Sequence, residues 1–127
     1  MYRWCVLLKV LIAMKSELLA RRLADALTEY DLHVCHTGKE ALTKTETLRP
    51  DILLLDLQLS DMTGFALLEQ LRCKPRIMFG FTVFADDMVL KKAAELGIQS
   101  LFLLPCSVRA VRQQLDALTE KALFAES

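Results

Sequence analysis

The stretch Pro50-Asp51-Ile52-Leu53-Leu54-Leu55-Asp56-Leu57-Gln58-Leu59-Ser60-Asp61-Met62-Thr63-Gly64 decides the fold. Five of the six residues from Ile52 to Leu57 are apolar, the continuous run of a parallel strand covered on both faces. The run ends on a carboxylate, Asp56, followed by a polar loop and a glycine. An acid at the carboxyl end of such a strand stands where open α/β sheets place their chemistry.

Outward from this strand, apolar runs and helical periods alternate. Val6–Met14 reads as a first strand. Ser16 is placed to cap a helix from Glu17 to about Tyr30, with Leu18, Leu19, Leu23, Ala26 and Leu27 at helical spacing. Leu32–His36 reads as a second strand, and Gly38 opens a helix to about Leu48 that Pro50 closes. Beyond Ile52–Leu57, a helix runs from Gly64 to about Arg72, and Ile77–Val83 is a fourth strand. A helix from about Asp86 to Leu96 ends at Gly97, a good residue just past a helix C-terminus. Leu101–Leu104 is a fifth strand, and Ser107 caps a last helix to about Leu123. Strands and helices alternating through short connections imply one parallel sheet with helices on both faces.

At 127 residues the chain is expected to be a single domain over residues 1–127. Its hydrophobic fraction of 54% suits a sheet between helix layers. Sixteen basic and sixteen acidic residues cancel, and the largest basic clusters are the pairs Arg21-Arg22 and Lys91-Lys92. That pattern argues against direct nucleic-acid binding. Cys5, Cys35, Cys73 and Cys106 are far apart and form no metal-ligand spacing. Reduced thiols in a cytoplasmic protein are the default expectation. The apolar Tyr2–Met14 segment carries Arg3 and Lys9 and is too short to span a bilayer, so no membrane association is expected.

The succession resembles the receiver domain of bacterial two-component response regulators, a CheY-like pseudo-receiver in its details. The residues that carry the resemblance are Pro50-Asp51 through Asp56, Gly64 eight residues past Asp56, Thr82 near the end of strand four, Ala93-Ala94-Glu95-Leu96-Gly97, and Leu104-Pro105 after strand five. It covers essentially the whole chain. The resemblance implies a flavodoxin-like, doubly wound five-stranded sheet in the order 2-1-3-4-5, with three αβα layers.

It also implies a phosphorylation site. In such domains two acids after strand one and an acceptor Asp bind Mg²⁺, which offsets repulsion on the incoming phosphoryl group. A Ser or Thr after strand four and a Lys after strand five contact the phosphoryl oxygens. Asp56 falls on the acceptor position and Thr82 on the hydroxyl position. Gln58 falls where a backbone carbonyl serves as metal ligand, so Asp56 and Gln58 are the candidate Mg²⁺ ligands. The other positions depart from the pattern: Met14-Lys15 replaces the acidic pair, Leu104 the Lys, Leu101 the aromatic three residues before it, and Ser60 the proline four residues after the acceptor.

With one acid left and an ammonium nearby, the site is expected to hold Mg²⁺ poorly. Phosphoryl transfer depends almost wholly on positioning and charge neutralisation, so most of the catalysis is expected to be lost. The chain then reads as no enzyme, at most self-phosphorylating residually at Asp56. The Lys15 ammonium is a candidate to neutralise Asp56 in place of the metal, against the plainer reading of a solvated loop lysine. Asp61 reads as a turn residue before a metal ligand. His33 and His36 read as structural, Asp86-Asp87 as charges favouring the first turn of helix four, and Met62, Met78 and Met88 as core or loop filler.

The leading functional expectation is a signalling module acting by protein–protein contact, with a transcriptional output through an attached effector. Its expected partner is a histidine kinase or another signalling protein. The face of helix four, strand five and helix five, with Lys91, Lys92, Arg109, Arg112 and Leu101, is expected to carry output contacts and homodimerisation. One alternative is a working phospho-acceptor phosphorylated on Asp56 by a histidine kinase. The other, a small-ligand-binding domain on the same scaffold, requires a glycine-rich phosphate loop that Met14-Lys15-Ser16-Glu17 does not provide.

Overall fold

The computed structural model describes residues 7–125, with side chains described through Thr119. Five strands alternate with five helices: β1 Lys9–Ala13, α1 Glu17–Ala26, β2 Asp31–Cys35, α2 Gly38–Leu48, β3 Ile52–Asp56, α3 Gly64–Gln70, β4 Ile77–Thr82, α4 Asp87–Glu95, β5 Ser100–Leu103 and α5 Val108–Ala125. The strands form one sheet in the order β2-β1-β3-β4-β5. Every pairing is parallel.

Period-two alternation along β1 and β3 divides their side chains between two cores. Val10, Ile12, Ile52 and Leu54 join Ala20 and Leu23 of α1 and Val111 and Leu115 of α5. Leu11, Ala13, Leu53 and Leu55 join Ala41 of α2, Leu67 and Leu68 of α3 and Ala93 of α4. All five residues of β3 are buried. Ile52–Leu55 are an unbroken apolar run because the strand lies at the centre of the sheet with helices above and below.

The helices begin on the residues their caps require. Ser16 Oγ accepts from Leu19 N at 3.1 Å, Thr37 Oγ1 from Glu40 N at 3.2 Å, and Asp86 Oδ1 from Val89 N at 2.9 Å. Ser107 Oγ likewise accepts from Ala110 N at 3.2 Å. Each satisfies one of the orphan donors of a first helical turn. Gly97, at φ +94°, follows the last residues of α4 as expected.

Several ends differ from the sequence reading: β2 is Asp31–Cys35, shifted one residue from Leu32–His36, and β1, β3 and β4 each end one residue early. Helix α1 stops at Ala26, short of Tyr30, because Leu27 is fully buried and Asp31 N must reach Leu8 O at 2.9 Å to start β2. Helix α3 stops at Gln70, where Leu71 turns extended at ψ 131°. Strand β5 is Ser100–Leu103, one residue earlier than expected, since its register pairs Ser100 with Phe79 and Leu103 with Thr82. The Val6 end of the expected first strand lies outside the described residues.

Candidate functional site

Parallel strands bring all their carboxyl ends to one edge of the sheet. Ala13 pairs with Leu55, and Asp56 pairs with Phe81. The residues just past β1 therefore flank Asp56 on one side and Thr82 on the other, and Leu104 N donates to Thr82 O at 2.8 Å. Met14, Lys15, Asp56, Thr82 and Leu104, distant in sequence, are thus gathered at one end of the sheet.

Asp56 is 9% exposed. Both carboxylate oxygens are engaged by the main chain: Lys15 N donates to Oδ2 at 3.0 Å, and Gln58 N donates to Oδ1 at 3.0 Å. Charge-assisted bonds of this kind stabilise a buried carboxylate without a counter-ion. Of the two readings of Lys15, a counter-ion to Asp56 or a solvated loop lysine, the solvated one agrees with the structure. The Lys15 side chain is exposed, and among the described residues no ion pair joins it to Asp56. The turn into α1 presents the Lys15 backbone to the site and its stem to solvent.

The Met14 side chain is fully buried in the core shared with α1 and α5. Leu104 packs partly buried against that same core, just before a cis peptide bond to Pro105. Thr82 is 7% exposed. Its hydroxyl donates to Phe84 O at 3.0 Å and accepts from Phe84 N at 3.3 Å, so it serves its own loop. Among the described residues no group of three His, Cys, Asp or Glu side chains could hold a metal ion. The open cleft lined by Arg22, Asp25, Cys106 and Ser107 includes none of these site residues.

The loop after Asp56 folds back tightly. Gln58 bridges to Thr63, Leu59 N donates to Met62 O at 3.1 Å, and Gly64 N donates to Leu57 O at 2.9 Å. Asp61 has a larger role than a turn residue. Its carboxylate accepts from Gly38 N at 2.7 Å and Lys39 N at 3.0 Å, tying this loop to the first turn of α2. Those two backbone amides hold the Asp61 carboxyl below the usual carboxylate range. Met62 sits where a β-carbon on Gly38 would be, 2.3 Å from Met62 Cγ.

His36 is a second residue whose place the sequence reading missed. Its Nδ1 lies 2.9 Å from Met14 O, and its backbone N donates to Glu40 Oε1 at 3.3 Å. The order β2-β1-β3 was the available signal, because it sets the end of β2 beside the end of β1. Two residues expected to present themselves on the output face are engaged within the fold instead. Leu101 packs against the core of α2, α3 and α4, where Gly80 leaves room for it. Arg112 bonds Ala26 O and the Glu29 carboxylate, which directs it to the end of α1. Lys92 pairs with Glu69 of α3 at 3.0 Å, and Met88 is 80% exposed, so it fills no core.

Comparison with known proteins gives a consistent result. The family model for the response regulator receiver domain matches residues 10–116. The alkaline phosphatase synthesis transcriptional regulatory protein PhoP of Bacillus subtilis is 32% identical over 99 residues, covering 76% of this chain and 41% of PhoP. The response regulator protein VraR of Staphylococcus aureus is 32% identical over 77 residues, covering 59% of this chain and 37% of VraR. The chain thus spans less than half the length of these curated relatives. In fold it is similar to the chemotaxis protein CheY4 of Vibrio cholerae, with a TM-score of 0.80 at 20% identity, covering 88% of this chain and 98% of that one. A two-component response regulator from Clostridium difficile superposes with a TM-score of 0.83 at 19% identity, covering 91% and 98% of the two chains.

Proposed function

The chain belongs to the response regulator receiver domain family, and we propose that within it this protein is a pseudo-receiver that signals by protein–protein contact without metal-assisted phosphorylation of Asp56. The observation that carries this reading is the surroundings of the Asp56 carboxylate. Its two oxygens are met by the backbone amides of Lys15 and Gln58, while Met14, at one of the positions of the family's acidic pair, lies in an apolar core. Mg²⁺ favours octahedral oxygen ligation with one or two carboxylates. One carboxylate already bonded to two amides, beside methionine and leucine, is a poor fit to that demand. On this reading Mg²⁺ is not a working cofactor, and catalysis is at most residual self-phosphorylation.

The partner is a histidine kinase or another signalling protein, met in the cytoplasm, where the free Cys35, Cys73 and Cys106 stay reduced. No helix among the described residues is long and apolar enough to cross a membrane. Homodimerisation and output run through the α4–β5–α5 face, which carries the exposed cations Lys91 and Arg109. A transcriptional output agrees with the name of the PhoP relative.

The test is incubation with acetyl phosphate, with and without Mg²⁺, read by intact-protein mass spectrometry beside an Asp56→Asn control. The expected result is no magnesium-dependent adduct. A magnesium-dependent adduct that disappears in Asp56→Asn establishes a working phospho-acceptor instead.

A further inference from the structure

The peptide unit joining Met14 to Lys15 is bonded at both ends by side chains from the ends of neighbouring strands, His36 just past β2 and Asp56 at the end of β3. Its carbonyl, Met14 O, lies 2.9 Å from His36 Nδ1. Its amide, Lys15 N, donates to Asp56 Oδ2 at 3.0 Å. A carbonyl oxygen only accepts, so Nδ1 of His36 carries the proton, which assigns the ring tautomer. The His36 backbone is itself held, since its amide donates to Glu40 Oε1 at 3.3 Å. A chain of hydrogen bonds therefore crosses the carboxyl ends of β2, β1 and β3: the His36 ring donates to the Met14–Lys15 peptide, which donates to the Asp56 carboxylate.

Two consequences follow from the chemistry of a peptide so placed. Donation to its oxygen polarises the amide and strengthens the bond its N–H makes, by about 10–30%. Donation also opposes rotation of the peptide plane, so the N–H stays aimed at Asp56 although the Lys15 side chain is exposed. The Met14 side chain, locked in the core, holds the other side of the same unit.

We infer that His36 is a positioning residue of the Asp56 site, fixing through the Met14–Lys15 peptide the backbone donor that occupies one oxygen of the carboxylate. This rests on the pseudo-receiver reading only in assigning Asp56 as the centre of the site. It adds a means by which that centre is kept in one state without a phosphoryl group. His36 acts through the peptide and touches no reacting atom.

The test is amide spectroscopy of the uniformly ¹⁵N-labelled protein in magnesium-free buffer, comparing His36→Leu and His36→Asn with the parent. Gln58 N, the other donor to Asp56, serves as an internal reference because no bond from His36 reaches it. In His36→Leu the Lys15 amide is expected to shift upfield and to exchange with solvent about two- to tenfold faster, while Gln58 is unchanged. In His36→Asn the side-chain amide stands in for Nδ1–H, and the Lys15 resonance and exchange rate return toward the parent. An unmoved Lys15 amide in His36→Leu overturns the inference. So does a failure of His36→Asn to restore it, or a parallel change at Lys15 and Gln58, which marks general loosening of the fold. Acetyl phosphate labelling reads the pseudo-receiver proposal separately, so failure of either idea is recognised without the other.

Discussion

A β-carbon placed on Gly64 would stand 2.8 Å from the backbone oxygen of Asp56 and 2.9 Å from Leu57 Cα. The start of α3 therefore lies directly against the backbone that carries the site acid. Neither contact is with the far end of a flexible side chain, so the strand or the helix must move to accept any larger residue. Gly64→Ala is expected to destabilise the fold by about 1–3 kcal/mol, measured by urea denaturation. It should also displace the Gln58 amide resonance, because the same loop aims that amide at Asp56. A variant as stable as the parent, with Gln58 unmoved, contradicts this.

Met14 and Lys15 are neighbours in sequence with opposite surroundings. Met14 is fully buried and Lys15 is exposed. Met14→Ala should cost about 2–5 kcal/mol as a buried large-to-small change. Met14→Asp should cost more, because it adds an unpaired charge to an apolar core. Lys15→Asp should leave stability within about 0.5 kcal/mol of the parent, as surface substitutions usually do. Thermal denaturation of the three variants orders them.

Asp61 couples the site loop to α2 in a pH-dependent way. Its pKa is lowered in the folded state by the Gly38 and Lys39 amides. A depressed carboxyl pKa stabilises the fold above its unfolded value of about 3.9, and that contribution fades as pH falls through the folded pKa. Asp61→Asn should thus be less stable than the parent at pH 7, with the gap closing toward pH 3. Urea midpoints of both proteins across that range check it; a constant gap contradicts the assignment.

The thiols should react in order of access. Burial pushes the Cys35 thiol up to about 11, with the nearby Glu40 carboxylate adding to the rise. Burial also raises Cys106, while Cys73 is exposed. The thiolate is the reactive form. Among the thiols of the described residues, iodoacetamide at pH 8 should therefore modify Cys73 first, Cys106 more slowly, and Cys35 only after denaturation, as followed by peptide mass spectrometry.

The alternation of apolar runs and caps was legible because each is local. Ser16 and Ser107 cap helices where their side-chain chemistry places them, Asp86 caps α4 where a charge in its first turn was expected, and the largely apolar stretch Ile52–Leu57 announces a central strand. The helix ends were less legible. Leu27 has the spacing of a helical residue, yet the helix has ended there, because Asp31 must meet Leu8 O to begin β2. Leu101 likewise reads as part of the output face, yet pairing with Gly80 carries its side chain inward.

The candidate site divides the same way. Asp56 could be singled out from the sequence by its place at the end of an apolar strand, and the resemblance to receiver domains added Thr82, Met14, Lys15 and Leu104, since side-chain identity and the order of elements are one-dimensional information. Which group meets Asp56 was not. The Lys15 ammonium is the charged candidate by composition, but the turn after β1 offers the backbone amide instead. His36 and Asp61 reach Met14 O and the first turn of α2 across 22 and 23 residues of sequence. Such bonds depend on the direction of each donor and acceptor, and only the packed sheet, by bringing neighbouring loops to one edge, sets those directions.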